Sequence, residues 1–281
     1  MKAAPFDYVR ASTPGMAVEA LRQGAVALAG GQSLIPLLNA RSRRPAVVVD
    51  VSRLPLTDVE QTGSALVLGA LTRLRAAETS PVVRRAAPLL AEALTHVGHV
   101  SVRNRGTVGG SVAHADPAAE LPAVLLALDA VFSARGPGGT RTIDARDFFL
   151  GPHRTALAPD ELLTGIRIPL PPSTARHGVA ELSRRPQDLA ITAVFTSVVL
   201  TDDVVTEARI AVAGAAPTPI RARAAEELLL GETPTAEVLA AAGEAAAGAT
   251  DPVDDLRAPA AYRRDMTAVL TRRALRQAVA G

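Results

Sequence analysis

The chain of 281 residues has no cysteine and no tryptophan, and aromatic residues make up only 2% of it. The missing cysteines exclude disulfide bonds, cysteine-ligated zinc, an iron–sulfur cluster held by cysteines of this chain, and a cysteine nucleophile. The scarcity of aromatic side chains argues against nucleic-acid binding through stacked bases. We therefore expect no nucleic-acid partner.

The chain also has little net charge, since the formal value is only +2 although the isoelectric point is about 9.6. With a single lysine, Lys2, few groups titrate between neutral pH and the pKa of arginine, so the high isoelectric point does not indicate a basic face. The N-terminus has no signal-like charged and apolar pattern, and no run of about 18 apolar residues predicts a membrane span. We expect a cytoplasmic protein.

The length predicts two domains, and a cluster of prolines marks a linker between them. This linker contains Pro169, Pro171 and Pro172 and is followed by Ser173 and Thr174. Before it, short strands and helices are mixed, and Ile166–Pro169 is predicted to be an edge strand. After it, strands at 178–183, 190–201 and 205–214 precede helices at 221–230, 236–248 and 260–280, a pattern typical of an α+β domain.

Two glycine-centred segments are the most informative features of the sequence. They are Ala29-Gly30-Gly31-Gln32-Ser33-Leu34 and Thr107-Val108-Gly109-Gly110-Ser111, and each is predicted to lie where a strand ends in a turn. Glycine lacks a Cβ atom, so backbone amides can approach an anion such as a diphosphate. The alternative interpretation is two tight turns, but together the segments predict one extended ligand held from two sides.

Several short motifs occur in a characteristic order along the chain. They are AGGQSLIP at 29–36, RNRGTVGGS at 103–111, Asp116-Pro117 with Glu120-Leu121-Pro122, Arg184-Arg185 with Asp188-Leu189-Ala190, and PAAYR at 259–263. With this order the chain resembles the FAD-binding medium subunit of molybdenum hydroxylases, as in carbon monoxide dehydrogenase, and the FAD-binding subunit of xanthine dehydrogenase. The resemblance covers nearly the whole sequence.

The resemblance implies an α+β fold in two parts. Residues 1–175 would form an FAD-binding domain of the vanillyl-alcohol-oxidase (PCMH) type, with two subdomains at about 1–55 and 56–175. Residues 176–281 would form the smaller C-terminal domain of the family, a sheet with helices.

The implied function is electron transfer within an oxidoreductase complex. Substrate would be oxidised at molybdopterin on a large subunit, and electrons would pass through [2Fe-2S] clusters on a small subunit to the FAD of this chain. The final acceptor would be NAD, a quinone or oxygen. Two alternatives stay open: a stand-alone FAD-dependent oxidoreductase acting on a small molecule, and a scaffold protein that has lost FAD.

The resemblance also implies which residues bind FAD. Both glycine segments would enclose the diphosphate, Asp116 and Glu120 would contact the ribityl chain or the flavin, and Leu163 and Leu189 would flank the isoalloxazine. Asp116 is also predicted to be a helix N-cap followed by Pro117. The predicted cofactor-binding residues are Ala29, Gly30, Gly31, Gln32, Ser33, Leu34, Thr72, Thr107, Val108, Gly109, Gly110, Ser111, Asp116, Glu120, Leu163 and Leu189, with His114 as a weaker candidate.

No catalytic side chain and no metal ligand is predicted, because the cofactor would carry the chemistry. One position departs from the family pattern. A lysine often lies near the N1/O2 edge of the flavin close to residues 180–181, but this chain has Ala180 and Glu181 there. Arg184 or Arg185 could supply the missing cation.

Overall fold

The N-terminal sheet is centred on a β-branched run whose side chains are almost fully buried. In the computed structural model, which describes residues 2–280, the first elements are β1 (Asp7–Arg10), α1 (Pro14–Arg22), β2 (Val26–Leu28), α2 (Leu34–Asn39) and β3 (Val47–Asp50). The strands are parallel in the order β1-β3-β2. Helix α1 begins where the hydroxyl of Thr13 accepts a hydrogen bond from the amide of Met16 at 3.2 Å.

A second, five-stranded antiparallel sheet and seven helices follow, with a small hairpin. Their bounds are β4 (Val59–Thr62), β5 (Ala65–Gly69), α3 (Leu74–Thr79), α4 (Pro81–Ala86), α5 (Pro88–His96), α6 (Val100–Arg105), α7 (Val108–His114), α8 (Glu120–Ala127), β6 (Val131–Gly136), β7 (Gly139–Asp144), α9 (Ala145–Phe148), β8 (Phe149–Gly151), β9 (Arg154–Thr155) and β10 (Leu162–Pro169). The strand order of the large sheet is β4-β5-β10-β6-β7, while β8 and β9 pair with each other.

The prediction of an edge strand at Ile166–Pro169 is wrong, because β10 is the central strand of this sheet. Proline removes a backbone donor and is usually confined to edges. Here Pro169 is the last residue of the strand and lies opposite Ala65 of β5 only, since the ladder with β6 ends at Arg167. The missing amide therefore interrupts no ladder.

The C-terminal part is an antiparallel sheet followed by three helices. Its elements are β11 (Arg176–Ser183), β12 (Ala190–Thr201), β13 (Val204–Ala213), β14 (Ile220–Arg221), α10 (Arg223–Leu229), α11 (Ala236–Gly248) and α12 (Ala260–Ala280). The predicted strands and helices are confirmed here, and α11 and α12 have the predicted bounds. Within residues 2–280, no helix combines the length and the apolar character needed to cross a membrane.

One hydrophobic core runs from the second sheet into the C-terminal sheet. All eight residues of α8 are buried, and this helix packs against α5 on one side and β12 and β13 on the other. A helix that is apolar on all sides is typical of such a central position. The same cluster of side chains includes Phe132 of β6 and Phe195 of β12.

Polar contacts also join the two parts of the chain. The amide of Gly214 donates to the carbonyl oxygen of Pro117 at 2.8 Å, and Arg221 donates to Asp129 at 2.8 Å. The Nδ1 atom of His99 lies 2.8 Å from Oε1 of Gln187. The orientation of the C-terminal sheet is thus held by specific contacts as well as by apolar packing.

A buried ion pair fixes the helix that leads into the second glycine segment. Nε of Arg103 in α6 lies 2.8 Å from Oε2 of Glu78 in α3, and both side chains are almost fully buried. Arg103 also donates to the carbonyl oxygens of Val97 and Gly98. Both buried charges therefore have hydrogen-bond partners, and the pair connects α3 to the end of α6.

Replacing Glu78 with alanine should lower the free energy of unfolding by about 3–5 kcal/mol, because it leaves the buried guanidinium of Arg103 without its partner. Urea denaturation followed by circular dichroism measures the loss. The matched control is Arg75→Ala, which removes the other partner of Glu78, a side chain that is 43% exposed. That change should cost about 1 kcal/mol or less, and equal losses in the two variants would contradict the structural role of the buried pair.

Candidate functional site

The first glycine segment connects β2 to α2 and carries unpaired hydrogen-bond donors. Gly31 has a φ of 74°, in the left-handed region that favours glycine. Within residues 2–280, the backbone amides of residues 30–33 have no protein acceptor, and the hydroxyl of Ser33 makes no capping bond to α2. The whole segment is half-buried. It can therefore offer several donors to an anionic group.

The second glycine segment differs from its prediction, because it follows helix α6 and not a strand. It forms the start of α7, where the hydroxyl of Thr107 accepts from the amide of Gly110 at 3.0 Å. The other amides are also bonded inside the protein: those of Val108, Gly109 and Ser111 donate to the carbonyl oxygens of Thr72, Ala70 and Thr107 at 2.9, 2.8 and 3.0 Å. A ligand at this segment would have to use other groups, such as the hydroxyl of Ser111.

The two segments lie against each other. A Cβ atom at Gly30 would come within 2.3 Å of the carbonyl oxygen of Arg105 and 2.8 Å of the Cα of Gly106. A Cβ at Gly110 would lie 3.8 Å from the Cβ of Ala29. The structure thus brings the predicted segments together. Position 30 requires glycine because the backbone of residues 105–106 crosses it too closely for a side chain.

The other predicted residues around the flavin differ in exposure. Thr72 is buried next to the second segment, and its hydroxyl donates to the carbonyl oxygen of Asp58 at 3.3 Å. Leu163 lies in the main hydrophobic core, whereas Leu189 is 47% exposed. The two leucines predicted to flank the isoalloxazine therefore differ in exposure: Leu163 is buried and Leu189 is accessible to solvent.

Asp116 is not the helix N-cap that was predicted. Helix α7 ends at His114 and is capped by Ala115, which has a φ of 48°. Asp116 then accepts a hydrogen bond from the amide of Ala118 at 2.9 Å. Helix α8 begins only at Glu120, after Ala119. The carboxylate thus closes a turn between two helices and keeps one oxygen free of that bond.

His114 ends α7 beside a second histidine. Its ring centroid lies 4.6 Å from that of His153. Burial lowers the pKa of His114, and the electrostatic influence of His153 and Arg43 acts in the same direction, while Asp116 opposes them. His153 was not singled out by sequence reasoning, because nothing in the local sequence relates it to position 114.

Two buried carboxyl groups, one in each part of the chain, have raised pKa values. Burial raises the pKa of Glu120 at the start of α8 to about 7, and Asp116 adds to the rise. Burial also raises the pKa of Glu181 in β11 to about 8, with a contribution from Glu120. Within residues 2–280, Oε2 of Glu181 has no hydrogen-bond partner, and Nδ1 of His96 lies 3.7 Å away.

Glu181 therefore occupies a buried position where the resemblance suggested a lysine. Arg184 and Arg185, the suggested replacements, are both exposed in the connection between β11 and β12. A carboxyl group that keeps its proton near neutral pH adds no full negative charge to this region.

Two surface clefts lie away from the predicted residues. One, of about 310 Å³, is lined by the Pro171–Pro172 linker, Arg85 and His177. The other, of about 370 Å³, lies between α11 and α12. Neither is lined by a predicted site residue, so the candidate site is identified by its donors and carboxyl groups and not by cavity size.

Replacing Glu181 with glutamine should change how stability depends on pH. The raised pKa means that the folded chain binds a proton that the unfolded chain releases, so the stability is fully present below the ordinary value of 4.5 and is lost as the pH rises through about 8. At about pH 9 the free energy of unfolding of the flavin-free variant should exceed that of the parent by at least about 1.4 kcal/mol, the equivalent of one pKa unit.

Urea denaturation over a pH series checks this prediction. Glu161→Gln is the control of opposite sign, because its ion pair with Arg141 lowers the pKa of Glu161. That variant should lose stability at pH values above the ordinary carboxyl pKa, with the difference disappearing in acid. A parallel pH dependence of Glu181→Gln and the parent would contradict a buried, proton-holding Glu181.

Two family descriptions match the chain. Residues 4–171 match the FAD binding domain in molybdopterin dehydrogenase, and residues 177–278 match the CO dehydrogenase flavoprotein C-terminal domain.

Similar proteins and structures agree with these matches. The chain is 38% identical to the 6-hydroxypseudooxynicotine dehydrogenase complex subunit alpha of Paenarthrobacter nicotinovorans, over 99% of this chain and 96% of that protein. It is 36% identical to the carbon monoxide dehydrogenase medium chain of Hydrogenophaga pseudoflava, over 97% and 96%. A solved structure of carbon monoxide dehydrogenase from Hydrogenophaga pseudoflava, which lacks the Mo-pyranopterin moiety, is similar with a TM-score of 0.98 at 38% identity, over 100% of this chain and 99% of that one.

Proposed function

This chain belongs to the family of FAD-binding medium subunits of molybdenum hydroxylases, and we propose that it relays electrons from a partner's [2Fe-2S] clusters through FAD to an external acceptor. It is a flavoprotein subunit of an oxidoreductase. We assign FAD binding to residues 1–175, with subdomains at about 1–55 and 56–175, and the C-terminal domain to residues 176–281.

The observation that carries the proposal is the set of free donors in the first glycine segment. A diphosphate is anionic and accepts hydrogen bonds from several backbone amides at once. The unpaired amides of residues 30–33 and the free hydroxyl of Ser33 fit such a group. Ser111 would approach the same ligand from the second segment, whose own amides are already bonded.

The remaining proposed contacts surround the rest of the cofactor. Asp116 has one carboxylate oxygen free of the turn and can accept from a ribityl hydroxyl. Burial raises the pKa of Glu120 and of Glu181, which reduces the negative charge that they add to this region near neutral pH. We propose contacts with the isoalloxazine for Thr72, Leu163 and Leu189. Bound FAD would supply the capacity to take up two electrons and release them singly or together, while these residues would hold and orient it.

A partner subunit must supply the iron–sulfur clusters, because this chain has no cysteine to ligate them. We propose that an iron–sulfur small subunit and a molybdopterin large subunit complete the complex. NAD, a quinone or oxygen would accept the electrons.

The purified chain should bind one FAD without a covalent bond, and Ser33→Ala should weaken that binding. The hydroxyl of Ser33 makes no capping bond, so its removal should leave the unfolding midpoint unchanged. Loss of a hydrogen bond to a charged phosphate should weaken FAD binding about tenfold or more. Fluorescence titration of the flavin-free protein measures the affinity, and chromatography of acid-released flavin identifies it.

Two further variants serve as references. Ser173→Ala, in the exposed linker, should bind FAD like the parent. Gly30→Ala should weaken both FAD binding and folding, because its Cβ would overlap the backbone of Arg105. A Cβ at position 138 would have no neighbouring atom within 4 Å, so Gly138→Ala should leave both FAD binding and folding unchanged. Release of FMN, or unchanged affinity in Ser33→Ala, would count against the proposed diphosphate site.

Co-expression with candidate small and large subunits should yield a complex that retains iron after affinity purification. The isolated chain should show little substrate turnover, because the substrate would be oxidised on another subunit. Metal analysis and dithionite-reduced spectra identify the clusters. Efficient oxidation of substrate by the isolated flavoprotein, with no partner retained, would support the stand-alone enzyme instead.

A further inference from the structure

Three side chains with metal-binding atoms converge beside the end of α7. The ligand atoms of His114, Asp116 and His153 all lie within 4.8 Å of one another. His114 and Asp116 are half-buried and His153 is exposed. Zinc ligands bind at about 2.0–2.2 Å, which separates neighbouring ligand atoms of a tetrahedral site by about 3.4 Å. Side-chain movements that shift the ligand atoms by about 1 Å would bring the three groups to that spacing.

The backbone already holds the three residues together. His153 lies between β8 and β9, and its amide donates to the carbonyl oxygen of Ala115 at 2.9 Å. Ala115 and His153 both have left-handed backbones, with φ values of 48° and 54°. The hairpin and the α7–α8 turn are therefore joined at the point where the three side chains meet.

One ring nitrogen of the histidine on the hairpin is already engaged with the backbone. Nδ1 of His153 lies 3.2 Å from the carbonyl oxygen of His114. Donation to that oxygen places the proton on Nδ1 and leaves Nε2 with a free lone pair. Metal-binding histidines commonly use their second nitrogen in this way, which fixes both the tautomer and the direction of the ring.

We propose that His114, Asp116 and His153 bind a divalent transition-metal ion, with Zn²⁺ as the best fit. Two imidazoles and one carboxylate form a donor set that suits zinc and its first-row neighbours and not the oxygen-preferring Ca²⁺ or Mg²⁺. Three protein ligands leave one position for water or another group. The ion would connect the β8–β9 hairpin to the turn between α7 and α8.

Side chains of both signs act on the proposed metal site. Arg43 acts on His114 as a positive charge and opposes a bound cation, whereas the carboxylate of Asp116 favours it. One oxygen of Asp116 accepts from the amide of Ala118. In the flavin-free chain the second oxygen is available to the ion, whereas in the flavoprotein the proposed ribityl contact would compete for it. Asp116 is also a proposed FAD contact, so the flavin content of each sample has to be known.

Zinc binding by the full chain, with any affinity tag removed, tests the proposal. Each sample is assayed as purified and after flavin removal, with the flavin measured by its visible absorbance. Isothermal titration with Zn²⁺ alone should give one site per chain, and Co²⁺ should show the visible bands of a tetrahedral site. His153→Asn and His114→Asn should each weaken Zn²⁺ binding at least about tenfold. Asparagine tolerates the left-handed backbone at position 153, so that variant should fold.

His99→Asn is the matched control, because His99 is exposed and bonded to Gln187 in another part of the molecule. It should bind Zn²⁺ like the parent. The proposal is wrong if His153→Asn retains parental affinity, if His99→Asn loses as much as the other variants, or if the parent takes up Zn²⁺ only weakly and without a defined stoichiometry. Because the readout is zinc and not flavin, a failure here is distinct from a failure of FAD binding.

Discussion

The close crossing of two backbone segments is the constraint on which the candidate site depends. Gly30 lies so near the carbonyl oxygen of Arg105 that a Cβ atom would approach it to 2.3 Å. This contact brings a loop of the parallel N-terminal sheet against the start of α7, which belongs to the helices of the second sheet. The buried Glu78–Arg103 pair stabilises the same crossing, because it ties α3 to α6, the helix that ends at Arg105.

Around this crossing the two glycine segments have different roles, although they look alike in the sequence. The first leaves its amides unpaired, whereas the second uses its amides on Thr72, Ala70 and Thr107. The first segment is consequently the better anion site, and the second acts mainly as a packed helix start that positions Ser111 and the residues after it. An asymmetric cradle of this kind would still hold the proposed diphosphate from two sides.

The region around Glu120 and Glu181 depends equally on the junction between the two parts of the chain. Helix α8 is buried on every side, and the charge of its first residue, Glu120, acts on Glu181 in a strand of the C-terminal sheet. Desolvation there raises the pKa of both carboxyl groups, so each holds its proton more tightly than an exposed carboxyl would. A proton-holding Glu181, at a position where the resemblance suggested a lysine, would change the electrostatic environment of a nearby flavin. This change would arise from the packing of the two parts of the chain and not from a local motif.

The sequence by itself determined the α+β class, the helices at 236–248 and 260–280, and membership of a flavoprotein family, because hydrophobic periodicity and ordered motifs are local properties of the chain. It could not determine that β10 is central, that α6 and not a strand precedes Thr107, or that Asp116 closes a turn before α8. Nor could it show that His153 lies beside His114 or that burial raises the pKa of both Glu120 and Glu181. Strand order and such contacts depend on which distant segments pack together, and only the tertiary structure decides where burial removes water from a carboxyl group or brings two histidines within reach of one ion.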